Sequence, residues 1–186
     1  MTSPGGFPPG CVLIEVHLTE LQQLFNSLDP TPFRERDLDP KAEEFIADWA
    51  RDVHADAPLG LTIHVDGAAP TAQQIEVTQT AVRQYFSVRA ATTRHQLRML
   101  LRRGRISLVI GLVFLAATVI GGDLIAGMMN DRFAGVVRES FLIGGWVAMW
   151  RPIEVFLYDW WPVRAEARLF DRLSAMTVRV MSSRST

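Results

Sequence analysis

Seventeen consecutive residues without a charge, Ile106 to Gly122, constrain this chain more than any other feature. The run reads ISLVIGLVFLAATVIGG, and as an α-helix it would be about 26 Å long. That length is just sufficient for the roughly 30 Å hydrocarbon core of a bilayer. A buried helix of a water-soluble protein usually keeps one polar face, and this run has none. The sequence therefore predicts a membrane-spanning helix here.

A second segment, residues 140–161, is also predicted to cross the membrane, although it is less apolar. Arg151 and Glu154 lie near its middle, where a charge costs about 2.5–3.5 kcal/mol and an apolar residue gains only about 0.3–0.6 kcal/mol. This helix is therefore expected to insert only beside a neighbour. Arginines are dense at 94–105 and 164–184, and the positive-inside rule places such clusters, and with them both termini, in the cytoplasm. The sequence thus predicts a two-helix transmembrane hairpin.

Small and charged residues share one face of this second segment. Ser140, Gly144 and Ala148 are spaced four residues apart, which is the small-xxx-small spacing that permits close approach of helices. Arg151 and Glu154 continue the same face and are spaced for a mutual ion pair at i, i+3. We predict that this face docks another membrane helix, from a second copy or from another protein. It consists of Ser140, Gly144, Ala148, Arg151, Glu154 and Tyr158.

Arginines and tryptophans at the ends of the spans are predicted to contact lipid headgroups. Basic side chains beside a span attract anionic lipids, and tryptophan favours the membrane interface. Arginines in this position are far more often topology signals than nucleic-acid contacts, so membrane lipids and no nucleic acid are expected as partners. The predicted contacts are Arg98, Arg102, Arg103, Arg105, Trp160 and Trp161.

The remainder of the chain predicts a small α+β fold. VLIEVHL at 12–18 and LGLTIHV at 59–65 alternate apolar and polar residues, as half-buried strands do. Two strands alone are marginal in water, so two to three helices must cover them or another chain must complete the sheet. The predicted organisation is a flexible leader (1–11), a cytoplasmic α+β domain (12–70), a long basic juxtamembrane helix (71–105), the transmembrane hairpin (106–161, spans about 106–122 and 140–161) and a basic cytoplasmic tail (162–186).

A helix after the first strand is well marked by its ends. Asp39 is placed to cap it and Pro40 to occupy its first turn. Its apolar positions fall on one face. They are Ala42, Phe45, Ile46, Trp49, Ala50 and Val53. The preceding acidic, proline-rich loop, with Asp29, Glu35, Asp37 and Asp39, could hold a cation or contact a basic partner, although caps and turns explain Asp29 and Asp39 more simply.

His17 and His64 are the best candidates for metal ligands. Each lies on the polar face of a predicted strand, so pairing of the strands could bring them together near Glu15. Two solvent-facing histidines on alternating strands are the simpler interpretation, and we therefore predict no metal ligand. The one cysteine, Cys11, excludes an internal disulfide, and no nucleotide-binding or hydrolase motif is present. No cofactor is predicted and the chain is not expected to be an enzyme.

The segment WRPIEVFLYDWWPVR, at residues 150–164, together with RRGRISLVIGL at 102–112, resembles a family of small uncharacterised bacterial inner-membrane proteins. Its signature here is W-R-P-x-E-x-x-L-Y-D-W-W-P-x-R. The resemblance covers mainly residues 100–115 and 145–170. It implies a bacterial inner (cytoplasmic) membrane location and carries no activity with it.

We therefore expect a multi-pass membrane-anchored interaction or assembly factor, which docks through the small-residue and Arg/Glu face. One alternative is a subunit of a transporter or ion pathway that uses Arg151 and Glu154. A third hypothesis is a metal-dependent enzyme domain anchored to the membrane.

Overall fold

The computed structural model describes residues 7–26, 37–54, 57–128 and 131–182. It divides into two compact units, residues 1–93 with 166–186 (the sheet unit) and residues 94–165 (the helix-pair unit). In chain order the elements are β1 (Val12–Leu18), a 3₁₀ turn (Leu21–Leu24), α1 (Pro40–Asp52), β2 (Leu59–Val65), α2 (Ala72–Gly127), α3 (Asp131–Glu154), a π-helical turn (Val155–Asp159), α4 (Trp160–Ser174) and β3 (Thr177–Ser182).

The sheet has three parallel strands in the order β1-β2-β3. The predicted α+β fold with two strands is wrong in this respect, because the third strand arises from the segment expected to be a basic tail. That strand, TVRVMS, alternates Val178 and Val180 with Arg179, so its apolar side chains face the core in register with Leu61 and Ile63. Pairing with β2 converts a marginal two-stranded sheet into one that buries a continuous face.

Helices cover one face of this sheet. Asp39 begins α1 by accepting a hydrogen bond from the Lys41 N–H at 2.9 Å, as its sequence predicts. The first turns of α2 contribute Phe86, whose ring is fully buried and lies 6.2 Å from that of Phe170 in α4. Burying such a side chain contributes about 1.5–3 kcal/mol. The core of the sheet unit further includes Ile14, Val16, Ile46, Ala50, Leu61, Ile63, Val82, Leu173 and Val178.

A polar cluster fastens α1 to α2 within the sheet unit. Glu43 of α1 accepts hydrogen bonds from the Tyr85 hydroxyl at 2.5 Å and from the Arg89 Nε at 2.7 Å. Burial, and after it the hydrogen bond to Glu43, raises the pKa of the Tyr85 phenol. Glu43 is therefore held by two residues of the long helix that lie more than forty positions away in the sequence.

In the helix-pair unit, α3 runs antiparallel to α2, because residues later in α2 contact residues earlier in α3. The two helices meet at glycines of α2 where a Cβ would press on a side chain of α3 or of the π-helical turn. The separations would be 2.8 Å between Gly104 and Val155 Cγ1, 3.0 Å between Gly111 and Met149 Sδ, and 3.1 Å between Gly122 and Phe141 Cβ.

Within the described ranges, one helix is long and apolar enough to cross a membrane, and it is α2. Only 11% of its most apolar window is buried inside the protein. The predicted two-helix transmembrane hairpin is wrong, because α3 does not meet the same requirement. Between Glu139 and Arg151, α3 offers eleven uncharged residues, or about 16 Å of helix, against about 26 Å for the run 106–122.

Pro152 lies inside α3 and precedes the π-helical turn. A proline has no N–H to donate, and its ring clashes with the carbonyl four residues earlier, so the regular hydrogen-bond ladder is disturbed there. The helix then widens over Val155–Asp159. Trp160 donates its indole Nε1–H to the carbonyl oxygen of Phe156 at 2.7 Å, which satisfies one backbone group of the widened turn.

Candidate functional sites

The charged residues of the 150–162 segment form a small cluster at the junction of α3 and the π-helical turn. Arg151 Nη1 lies 2.8 Å from Glu154 Oε2, which is the i, i+3 pair that the spacing predicts. The other guanidinium nitrogen, Nη2, lies 3.9 Å from Asp159 Oδ2. The Arg151 side chain is 69% exposed. One arginine thus offsets two carboxylates on the outer surface of the helix-pair unit.

The predicted docking face is turned away from α2 over much of its length. Ser140 and Tyr158 are exposed, and a Cβ at Gly144 would meet no atom of the described residues within 4 Å. Its neighbour Gly145 is the residue against α2, since a Cβ there would lie 2.5 Å from Thr118 Oγ1. Ala148 lies at the boundary, with its carbonyl oxygen 3.5 Å from a Cβ built at Gly111. The docking of another helix on this face stays a prediction.

The residues predicted to contact lipid headgroups are accessible. Arg98, Arg102, Arg103 and Arg105 are exposed along α2, just before its uncharged run. Trp161 is 68% exposed, whereas Trp160 is half-buried beneath the guanidinium of Arg164, which lies 5.5 Å from its ring centroid. The geometry leaves the four arginines able to reach an anionic surface.

The apolar face of α1 is divided between the core and the surface. Ile46 and Ala50 are fully buried with Ala47, but Phe45 is 44% and Trp49 is 51% exposed. The predicted apolar face is therefore only partly buried, and its outer edge is left at the surface. There Phe45, Asp48, Trp49, Asp52 and Val53 line an open hollow of about 430 Å³, here named the α1 patch.

The structure describes only part of the acidic loop before α1. Asp29 and Glu35 lie outside the described residues, and Asp39 is used as the cap of α1. The α1 patch was not singled out from the sequence. Its signal is the pair of aromatic residues four apart with aspartates interleaved, which is unusual for a helix face that is buried throughout.

The parallel pairing of β1 and β2 brings Glu15, His17 and His64 together on the sheet face opposite the helices. His17 and His64 are partners in the strand register, and their rings stack with centroids 4.6 Å apart and an interplanar angle of 11°. Each of the three side chains offers a ligand atom, and these atoms all lie within 4.8 Å of one another. Among the described residues, the buried Nε2 of His64 has no hydrogen-bond partner.

Comparison with protein-family models, with curated proteins and with solved structures found no match for this chain.

Proposed function

We propose that this chain is a membrane-anchored interaction factor of the bacterial inner membrane, with α2 as its anchor and the α1 patch as its contact for a cytoplasmic partner. The observation that carries the proposal is the exposure of Phe45 and Trp49 side by side on α1. Aromatic residues in exposed hollows are characteristic anchors of protein–protein interfaces, because each buries a large area with little loss of rotamer entropy.

The anchor is the uncharged run of α2. Its side chains are mostly exposed, whereas the core helix of a water-soluble protein would be mostly buried. The exposed arginines between Arg98 and Arg105 precede this run, so the positive-inside rule favours a cytoplasmic location for the start of α2. The same arginines would hold anionic lipid headgroups, each with about 1 kcal/mol.

The partner is expected to present a basic segment with an apolar anchor residue. Asp48 and Asp52 are the charged residues that line the α1 patch, and Asp48 also pairs with Arg51 along its own helix. A lysine or arginine of the partner would meet these carboxylates at the rim, while an apolar side chain would fill the space between Phe45 and Trp49. Charges at a rim mainly set specificity and association rate.

Site-specific photocrosslinking in intact membranes tests this contact. A photoreactive residue at Trp49 is compared with one at Val88, which is similarly exposed on α2 in the same unit. We expect a crosslink from position 49 alone, to a segment rich in lysine or arginine, which weakens with added salt and in an Asp48→Asn, Asp52→Asn variant. A crosslink of equal yield from both positions, or one from position 49 to lipid or to a second copy of this chain, would overturn the proposed partner.

The predicted docking of another helix on α3 is part of the same proposal and has its own test. What supports it is the contrast between Gly144, beside which there is room for another helix, and Gly145, which packs against α2. Gly144→Leu would obstruct a docking helix and leave the contact between α2 and α3 in place. We expect a smaller native assembly for this variant in mild detergent. An assembly of unchanged size would count against docking at this face.

A further inference from the structure

The face of the sheet that the helices leave uncovered carries a group of metal-ligand side chains. Glu15 and His17 lie two apart on β1 and project to the same side, and His64 is the register partner of His17 on β2. From this juxtaposition we propose that Glu15, His17 and His64 form a binding site for a divalent transition-metal ion, with Zn²⁺ as the reference ion. The proposal does not depend on the interaction function given above.

The backbone beneath the site is held in register. Beyond the strands, the N–H of Asp66 donates to the carbonyl oxygen of Leu18 at 2.9 Å, and the N–H of Gly67 donates to that of Thr19 at 3.1 Å. These hydrogen bonds fasten the carboxyl ends of β1 and β2 just past His17 and His64. Because the two Cα positions are fixed, an ion has only to reorient side chains and does not have to assemble two mobile loops.

The ligand atoms are close enough for side-chain rotation to bring them to coordination distance. The three ligand atoms lie within 4.8 Å of one another. In a tetrahedral zinc site with bonds of about 2.1 Å, neighbouring ligand atoms are about 3.4 Å apart. The difference, at most about 1.4 Å, is within reach of rotation about χ1 and χ2, particularly for Glu15 and His17, which are exposed.

The donor set has the chemistry of zinc and its neighbours in the first transition row. Two imidazoles and one carboxylate suit ions of intermediate softness, whereas magnesium and calcium prefer oxygen alone. Three protein ligands leave the fourth position of a tetrahedral ion for water or another molecule. The buried Nε2 of His64 lacks a hydrogen-bond partner among the described residues, and coordination of the ion would use its lone pair.

Metal titration of the full chain in detergent, prepared without a histidine tag, tests the site. Co²⁺ serves as the spectroscopic probe, because its visible absorption reports tetrahedral coordination, and Zn²⁺ is then added to displace it. We expect one ion per chain. His17→Gln and His64→Gln should each weaken binding at least about 100-fold, beyond the 10- to 100-fold typical of losing an outer-shell partner. Glu15→Gln should weaken it as well.

Matched controls distinguish this site from adventitious binding. The remaining histidines of the chain are His54, in the loop after α1, and His95, on α2, so His54→Gln and His95→Gln should bind the metal as the wild type does. Because His17 is exposed, its replacement should leave the fold intact, which circular dichroism checks. Binding that is absent in the wild type, or that survives in His17→Gln and His64→Gln, would overturn the proposal.

Discussion

Replacing Gly145 by alanine should loosen the contact between α2 and α3, whereas the same change at Gly144 should not. A Cβ at Gly145 would lie 2.5 Å from Thr118 Oγ1 and 2.6 Å from Leu115 Cδ1. The Thr118 hydroxyl donates a hydrogen bond to the Leu115 carbonyl oxygen at 2.8 Å, so its rotamer is not free to turn away. The alanine must therefore push the helices apart or break that bond.

The magnitude follows from a comparison of the two variants. Both exchange glycine for alanine inside one helix, so both gain the same intrinsic helix propensity, about 0.8–1.0 kcal/mol. That gain cancels in the difference and leaves the cost of overpacking at Gly145, which is typically about 1–3 kcal/mol. At Gly144 there is no neighbour within 4 Å to resist the methyl group.

Hydrogen–deuterium exchange of α3 peptides measures this difference directly. Protein in a large excess of micelles keeps chains apart, so that assembly does not contribute. The Gly145→Ala variant should exchange about 5- to 140-fold faster in α3 than Gly144→Ala, which is the ratio expected for 1–3 kcal/mol. Equal exchange in the two variants would refute the packing of α3 on α2 through this glycine.

Three further predictions concern the sheet unit. The Tyr85 phenol should remain protonated above its ordinary pKa of 10.0, because burial and the hydrogen bond to Glu43 raise the pKa. Since the raised pKa belongs to the folded state, its contribution to stability is complete below about pH 10 and is lost as the pH rises toward the folded value. Phenolate absorbance in a Tyr158→Phe background measures it, and titration at the ordinary pKa would contradict it. Glu43→Gln should lower the free energy of unfolding by about 1–2 kcal/mol in thermal denaturation, a modest loss because its arginine partner is half exposed; an unchanged melting temperature would count against the cluster. Gly67→Ala should cost about 1–3 kcal/mol, since a Cβ would lie 2.6 Å from the Thr19 carbonyl oxygen; a neutral result in the same assay would show that the two strand ends separate easily.

Local patterns in the sequence predict the individual elements of the sheet unit well. The alternation in β1 places Ile14 and Val16 in the core and Glu15 and His17 at the surface, as the structure shows, whereas β2 is buried almost throughout and Thr62 is only 5% exposed. The cap of α1 at Asp39 is likewise confirmed. These features depend on interactions between residues close together in the chain, so local sequence patterns are sufficient to predict them.

Features that depend on distant partners could not be predicted in the same way. The arginines of the last segment favoured a tail, and only pairing with β2 makes a strand of Val178 and Val180. Nothing in the strand sequences fixes the register that makes His17 and His64 neighbours. Which part of the apolar face of α1 is buried also depends on tertiary packing, so Trp49 could not be assigned to the surface beforehand.

The spacing of glycines was a signal that could have been used. The contact glycines Gly104, Gly111 and Gly122 are separated by seven and eleven residues, close to two and three whole helical turns, so they lie on one face of α2. Such a repeat marks the strip along which a second helix approaches closely. The sequence analysis assigned the small residues of α3 to a contact with an external partner. Gly145, one position from the predicted docking face, is the residue in contact with α2.

The parallel pairing of β3 with β2 has a consequence for the order in which the protein is made. Leu61 pairs with Val178, and the whole of α2 and α3 is synthesised between them. Until residues 177–182 emerge, β2 presents one edge with unpaired backbone groups, and Val178 is missing from the core. A nascent chain therefore carries an unfinished sheet throughout the synthesis of its long apolar helix. Chaperones that recognise unpaired strand edges could bind β2 during that interval. The interval ends when the six residues of β3 are added.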